Sequence, residues 1–282
     1  MDNGIKLALV VSTPEVGAWP YALLTGDFEQ KLKKARRLGY DGVELLMRDP
    51  ARFDWAAARA TIARHGLEVP ALVTGALSGL DGLGFAHRSP QVRRAARQRL
   101  KALIDCAADY GAIVDVGLLR GKLAWMNDPA DAEREMQAAF LDVAGYAAER
   151  GVRLTVECLN RYEADCINNA DQGLAFLDRL GHPAVGLLLD TFHMNIEEAS
   201  FGDSIRRAGG RLWHVHVGDS NRLAPGQGHI PFAEIVGALR QIGYRGYLSV
   251  EVLAGPDPDR TAQLAVEHLR QHTTGHNPSS RE

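Results

Sequence analysis

The sequence predicts an α/β fold of the (β/α)8 TIM-barrel class, with a doubly wound sheet as the alternative. Eight short apolar runs alternate with eight longer amphipathic stretches along the 282 residues. Near-continuous apolar strands joined by helical crossovers are typical of a parallel sheet covered on both faces, and this number of pairs matches a closed barrel. A doubly wound sheet usually carries a glycine-rich phosphate turn after its first strand, whereas residues 12–15 read Ser-Thr-Pro-Glu.

The elements follow in regular order. The predicted strands are residues 5–11, 42–46, 69–73, 112–119, 152–157, 185–190, 212–217 and 247–252. The predicted helices are residues 28–38, 55–65, 90–110, 129–150, 171–180, 197–208, 232–242 and 259–271. Most helices precede a glycine that favours a left-handed C-terminal cap, at Gly39, Gly66, Gly111, Gly151, Gly181 and Gly243. We predict a single barrel domain over residues 1–272 and a disordered tail over 273–282, which has no apolar residue.

Composition narrows the function classes. The net charge is −3 and the densest basic cluster, Lys31, Lys33 and Lys34, lies in a helical pattern, so we expect no nucleic-acid partner. The first apolar run, residues 7–11, is too short to span a membrane or to serve as a signal-peptide core, so we expect no membrane association. Three cysteines without a Cys-x-x-Cys motif favour a reducing, cytoplasmic location.

Four late strands end on residues that commonly bind metals: Glu157, Asp190, His216 and Glu251. In a barrel, the carboxyl ends of consecutive strands converge on one mouth. Three carboxylates and one imidazole suit a divalent ion such as Mn²⁺, Mg²⁺ or Co²⁺ better than structural zinc. Each acid alone could instead be a salt-bridge partner or a charge at a helix N-terminus. His214 shares a strand face with His216, so one of the two could be a packed or hydrogen-bonding histidine.

The sequence segments around these residues are distinctive enough to indicate a family. Four segments closely resemble the D-tagatose 3-epimerase/D-psicose 3-epimerase family of xylose-isomerase-like barrels: VECLNRYEAD (156–165), LLLDTFHMNIEE (187–198), HVHVGDSNRLAPGQGHI (214–230) and GYLSVE (246–251). The similarity covers most of the chain and is densest after residue 150. In the first half, ALVVSTPE (8–15) and GYDGVELLMRDP (39–50) look most like a subgroup that contains 5-keto-L-gluconate epimerase.

The resemblance implies a metal-dependent epimerase that inverts C3 of a ketose or keto-uronate through a cis-enediolate. One divalent ion, with Mn²⁺ as the first candidate, would be bound by Glu157, Asp190, His216 and Glu251. Glu157 and Glu251 would also transfer protons, one on each face of the planar intermediate. The same site could support an aldose–ketose or hydroxypyruvate-type isomerase. Family members are often dimers or tetramers, which implies a homo-oligomer.

The resemblance also implies substrate contacts for Glu163, His193 and Arg222, each on its motif (NRYE, DTFH and DSNR). Each has a structural alternative: Glu163 could pair with Arg161, His193 could cap its own loop, and Arg222 could pair with Asp219 or Glu251.

Arg120, with Lys122 beside it, is the candidate for recognising a carboxylate or phosphate at the distal end of the sugar, although a solvated loop arginine is an equal alternative. Trp19 and Trp125 lie in predicted loops and could stack on a sugar or form a dimer contact.

Two other function classes compete with an epimerase. An apurinic endonuclease on the same barrel would need extra histidines after strands three and four, where this chain reads LVTGALSG and VGLLRGK. A non-catalytic sugar-binding barrel would not need the glutamate pair.

Overall fold

The computed structural model describes residues 4–274, and its eight strands close into a parallel barrel, which confirms the predicted (β/α)8 fold. Each strand pairs with its neighbours in sequence, and β8 pairs with β1. The strands are β1 Lys6–Ser12, β2 Gly42–Leu46, β3 Ala71–Val73, β4 Ile113–Val116, β5 Arg153–Cys158, β6 Val185–Asp190, β7 Leu212–Val217 and β8 Tyr247–Val250. Every residue of β2, β3, β4, β6 and β8 is buried, as expected for strands with a packed interior on one face and helices on the other.

The helices surround the barrel. They are α1 Phe28–Leu38, α2 Trp55–Arg64, α3 Gly75–Gly79, α4 Pro90–Ala108, α5 Pro129–Glu149, α6 Ala170–Leu180, α7 Thr191–Glu197, α8 Phe201–Ala208, α9 Phe232–Gln241 and α10 Pro258–Thr273. All six glycines predicted to follow helices have a positive φ, between 61° and 90°. Short turns therefore return the chain to the base of each strand, and the longer loops remain at the opposite end.

Helix α5 illustrates how the outer layer is held. Its buried side chains include Met136, Phe140, Val143 and Ala147, spaced three or four residues apart on one face. The ring of Phe140 meets Phe85 and Phe176 edge-to-face, with centroids 5.5 and 5.1 Å apart. These contacts join α5 to its neighbours over the barrel wall.

The region after β6 differs from the prediction. The helix predicted over residues 197–208 starts later, at Phe201, as α8, and a separate helix, α7, precedes it over Thr191–Glu197. Each of these helices has its own N-cap residue. Asp190 Oδ1 accepts the N–H of Phe192 at 2.8 Å, and Ser200 Oγ accepts the N–H of Asp203 at 3.2 Å. Helix α7 therefore starts at the strand end and places His193 in its first turn.

Two smaller differences concern a loop and the C-terminus. Strand β4 is shorter than predicted, because residues Leu118–Arg120 form a 3-10 turn. Thr273 belongs to α10, where its hydroxyl donates to the Leu269 carbonyl at 3.1 Å, so it is not part of a tail. Residues 275–282 of the predicted disordered tail lie outside the described residues. Between residues 4 and 274, no helix has the length and apolar character needed to cross a membrane.

Candidate active site and metal centre

The four residues predicted to bind a metal come together at the carboxyl ends of the last four strands. Glu157, Asp190 and His216 lie in β5, β6 and β7, and Glu251 directly follows β8. One ligand atom from each lies within 4.8 Å of the others. The first three residues are buried, and the Glu251 side chain is 16% exposed. The cluster is therefore largely buried, and Glu251 is its most exposed member.

Several polar atoms in this cluster are buried without a hydrogen-bond partner: Glu157 Oε1, Asp190 Oδ2, His193 Nε2 and His216 Nδ1. His216 Nδ1 lies 3.6 Å from both Glu157 Oε1 and Glu251 Oε2, which is too far for a good hydrogen bond. Buried polar atoms are nearly always paired, so converging unpartnered atoms require an occupant. Three carboxylates and one imidazole nitrogen fit a divalent cation with positions left for substrate oxygens.

Local contacts orient the carboxylates of Asp190 and Glu157 toward the cluster. The main-chain N–H of Phe192 donates to Asp190 Oδ1, which leaves Oδ2 of the same carboxylate for the cluster. Gly117, after β4, leaves room for Glu157, since a Cβ at that position would collide with Glu157 Oε2. The site thus depends on a glycine outside the ligand set.

The two glutamates have different proton affinities. Burial raises the pKa of Glu251 to about 7, and the nearby Glu157 carboxylate adds to this effect, against the opposing influence of His216. Burial also acts to raise the pKa of Glu157, but its interactions with His216, His193 and Arg222 bring the pKa below its usual value. Carboxyl pairs whose pKa values are pushed apart are a common arrangement for acid–base catalysis.

His193 presents an N–H to the cluster, and Asn160 sets this orientation. Asn160 Oδ1 accepts the N–H of Tyr162 at 3.0 Å, so Asn160 Nδ2 is the donor toward His193 Nδ1, 2.6 Å away. His193 Nε2 therefore carries the proton. It lies 3.9 Å from both Glu157 Oε1 and Asp190 Oδ2. A donor in this position suits a substrate oxygen bound beside the carboxylates.

Arg222, which is buried, forms an ion pair at the same mouth with Glu163, which is partly exposed. Arg222 Nη1 donates to Glu163 Oε1 at 2.7 Å, and Arg222 Nη2 lies 3.6 Å from Glu251 Oε2. The guanidinium carbon lies 4.0 and 4.8 Å from the ring centroids of Tyr21 and Phe192. These cation–π contacts help to hold it beside the glutamates.

These contacts bear on the structural alternatives that the sequence left open for Glu163 and Arg222, of which the approach of Arg222 to Glu251 is present at 3.6 Å. Arg161 pairs with Glu197 at 2.8 Å and is not the partner of Glu163. The Asp219 carboxylate accepts main-chain N–H groups of its own loop, including that of Gly226 at 2.8 Å, so it does not bind the Arg222 guanidinium.

The prediction that Arg120 contacts the distal end of the sugar is not supported by the structure. Its side chain is completely buried, and the guanidinium donates to main-chain carbonyls within the barrel wall. Nη1 bonds to Gly117 and Glu157 at 3.3 and 2.7 Å, and Nη2 to Cys166 and Ile167 at 2.9 and 3.3 Å. Arg120 therefore joins the turn after β4 to the end of β5 and the loop beyond.

Replacing Arg120 with methionine is expected to lower the free energy of unfolding by at least about 3 kcal/mol, because buried carbonyls lose their donors. We also expect equal proportional losses of activity on neutral and acidic ketoses. Arg134→Met is the control, since the Arg134 side chain is 69% exposed and its ion pair contributes little. Denaturant titrations measure both variants. A stable Arg120→Met protein that loses activity on acidic sugars alone would restore the substrate role.

The two tryptophans lie in separate parts of the loop layer. Trp19 packs over Gly79 of α3, and Trp125 packs over Gly84 with its ring 5.8 Å from that of His87. Their proposed roles in sugar stacking or dimer contact stay predictions.

Sequence reasoning missed Asn160, Tyr21 and Glu44. Asn160 lies inside the NRYE motif, so its position was visible even though its role was not. Tyr21 gave no signal, because its partner Arg222 is distant in sequence. Glu44 is a single acidic residue in the apolar run Val43–Leu46, which is the kind of signal that identified Asp190.

Comparison with known proteins agrees with this geometry. The model of the xylose isomerase-like TIM-barrel family matches residues 32–272. A ketose 3-epimerase from Arthrobacter globiformis is 32% identical over 86% of each chain. An L-ribulose 3-epimerase from Mesorhizobium japonicum is 36% identical over 83% of this chain and 78% of its own. The crystal structure of D-psicose 3-epimerase with D-tagatose from Clostridium cellulolyticum H10 superposes with a TM-score of 0.80, at 26% identity, covering 95% of this chain and 99% of that one. The resemblance to the 3-epimerases is thereby confirmed, while the one to the subgroup with 5-keto-L-gluconate epimerase stays a prediction, and the chain belongs to the xylose isomerase-like TIM-barrel family.

Proposed function

We propose that this protein is a divalent-metal-dependent sugar epimerase that inverts C3 of a ketose. The observation that carries the proposal is the placement of Glu157 in β5 and Glu251 directly after β8, each with a carboxylate oxygen 3.6 Å from the unpartnered His216 Nδ1. The names of the relatives, a ketose 3-epimerase and an L-ribulose 3-epimerase, support the same reaction.

Inversion at C3 requires a proton to leave one face of the carbon and a proton to arrive on the other. Removing a proton next to a ketone gives a planar cis-enediolate, which can be reprotonated from either side. Two carboxyl groups on opposite sides of the substrate can perform both transfers. In the metal-free protein the pKa of Glu157 lies below its usual value and that of Glu251 is about 7, so the two carboxyl groups differ in proton affinity. The roles exchange when the opposite epimer is the substrate.

A divalent ion held by Glu157, Asp190, His216 and Glu251 would supply Lewis-acid stabilisation of the oxygens that become negative. The protein adds donors around the same oxygens. His193 Nε2–H points into the cluster, and Arg222 Nη2 lies 3.6 Å from Glu251 Oε2. Glu163 pairs with Arg222 and is accessible enough, at 29% exposure, to meet a sugar hydroxyl. We propose substrate contacts for His193, Arg222 and Glu163 on this basis.

Two features narrow the substrate and the reaction. Arg120 is hydrogen-bonded inside the wall, so the cation suggested for an acidic sugar is engaged elsewhere, and a neutral ketose is favoured over a keto-uronate. Strands β3 and β4 run into Thr74 and Gly117 without a histidine, which argues against the multi-zinc site of an apurinic endonuclease. An aldose–ketose or hydroxypyruvate-type isomerase would use the same carboxylates and is the alternative reaction.

Further details of the proposal concern the ion and the setting. We propose Mn²⁺ as the ion, with Mg²⁺ or Co²⁺ as substitutes, because the ligand set is rich in carboxylates. We also propose a homo-oligomer, by analogy with the family, and a cytoplasmic location, which suits three free cysteines.

A substrate screen tests the reaction. Neutral ketopentoses, neutral ketohexoses and keto-uronates are each incubated with the protein and Mn²⁺, and products are identified by NMR. We expect conversion of neutral ketoses to their C3 epimers. An aldose product would favour the isomerase, and sugar binding without any conversion would favour the non-catalytic barrel.

A further inference from the structure

Glu44 lies inside the barrel on β2 and is completely buried. Each of its carboxylate oxygens meets an imidazole from β7. Oε2 accepts from Nε2 of His214 and Oε1 accepts from Nε2 of His216, both at 2.8 Å. Burying an unpaired carboxylate would cost several kcal/mol, so these bonds account for a charge in the barrel core. We call the three residues the Glu44 triad.

The Glu44 triad is bonded differently from the cluster above it. Its carboxylate oxygens and Nε2 atoms are all paired at normal hydrogen-bond length, and none of them is among the buried atoms that lack a partner. The other nitrogen of the same ring, His216 Nδ1, has no hydrogen-bond partner. One nitrogen of the His216 ring therefore belongs to a fully hydrogen-bonded network. The other nitrogen faces the ligand cluster, whose atoms lack partners.

This connection determines which nitrogen of His216 is available. A carboxylate only accepts hydrogen bonds, so the bond to Glu44 Oε1 requires a proton on His216 Nε2. A neutral ring protonated at Nε2 has its lone pair on Nδ1. His216 Nδ1 is the atom 3.6 Å from both Glu157 Oε1 and Glu251 Oε2.

We propose that Glu44 is a positioning residue for the metal centre, which selects the His216 tautomer and holds its ring, while His214 holds Glu44 through the second oxygen. The inference rests on the proposed function, because it assumes that the cluster binds a cation. Outer-shell carboxylates on ligating histidines generally raise metal affinity by holding the ring and increasing its basicity.

Metal affinity measures this role without relying on turnover. Mn²⁺ binding by calorimetry is compared among wild type, Glu44→Gln, His214→Gln and Ser249→Ala. A carboxamide has one acceptor oxygen and cannot accept from both imidazoles. We expect Glu44→Gln to weaken Mn²⁺ binding by roughly 10–100-fold, and His214→Gln to weaken it less, since the Glu44–His216 bond is retained. Ser249 is the matched control, because it is buried, pairs in register with His216 and makes no hydrogen bond through Oγ.

A second measurement holds even if Glu44→Gln does not fold. Long-range ¹H–¹⁵N NMR of the wild type loaded with Mg²⁺, a diamagnetic ion, distinguishes the protonated ring nitrogen, and we expect the single proton of the His216 ring on Nε2. A ring proton on Nδ1 in the loaded protein would overturn the inference. So would a folded Glu44→Gln protein that binds Mn²⁺ as tightly as wild type and Ser249→Ala. Failure of the wild type itself to bind Mn²⁺ would overturn the proposed metal site together with this inference.

Discussion

Replacing either Glu157 or Glu251 with glutamine is expected to lower kcat for C3 epimerisation by about 10²–10⁴-fold, the usual contribution of general acid–base catalysis. The carboxamide has nearly the same shape as the carboxyl group but does not exchange protons at neutral pH. Both residues lie on the barrel wall at strand ends, so the fold should be retained. Steady-state kinetics at saturating Mn²⁺ separate this loss from weaker metal binding.

The two variants should also differ in a diagnostic way. With one carboxylate left, a ketose whose C3 proton faces that group can still exchange the proton with solvent but cannot be inverted. We therefore expect each variant to exchange one epimer without converting it, and the two variants to prefer opposite epimers. Glu149→Gln is the control, since its side chain is 76% exposed. Wild-type turnover in either active-site variant would remove the two-base mechanism.

Removing divalent ions is expected to abolish activity and to lower Tm, and Mn²⁺ or Co²⁺ should reverse both effects. The reason is the group of buried ligand atoms without partners, which gains its missing interactions from a cation. An ion present at 100 times its Kd adds about 2.7 kcal/mol to stability. A thermal melt of EDTA-treated protein, before and after Mn²⁺ is added, measures this directly.

Asp190→Asn provides the control for the metal effect. Asp190 is one of the proposed ligands and has no proposed proton-transfer role, so its replacement should reduce the Mn²⁺-dependent rise in Tm. The main-chain cap on Phe192 can survive, because an asparagine oxygen can still accept that bond. A rise in Tm that is unchanged in this variant, or activity that is indifferent to EDTA, would contradict the metal site.

Features that depend on a strand and its immediate end were predictable. The chain shows Asp190 closing an apolar run, and the barrel geometry brings that end next to Glu157 and His216 without further information. The periodicity of β7 placed His214 and His216 on one face, as the structure confirms through their shared partner Glu44. The sequence did not show which of the two histidines faces the metal site. That choice depends on their contacts with Glu44, which lies on β2.

Features that depend on side-chain direction across the barrel were not predictable. Arg120 follows β4 in a polar loop, and only the 3-10 turn there directs its side chain into the wall. Its carbonyl partners at Cys166 and Ile167 come from a loop more than 40 residues away. Glu44 carried a usable signal, but a mid-strand acid gives no indication of which strand it faces. Short-range patterns therefore identified ligands better than the contacts that orient them.

Deuterium incorporation tests the central claim most directly. The protein is incubated with Mn²⁺ and a ketose that it converts, in D₂O, and the product is examined by NMR. Proton removal and return at C3 by two carboxyl groups predicts a product that is inverted at C3 and carries solvent deuterium on that carbon. A C3-inverted product with no deuterium at C3, or an aldose labelled at C2, would contradict the account.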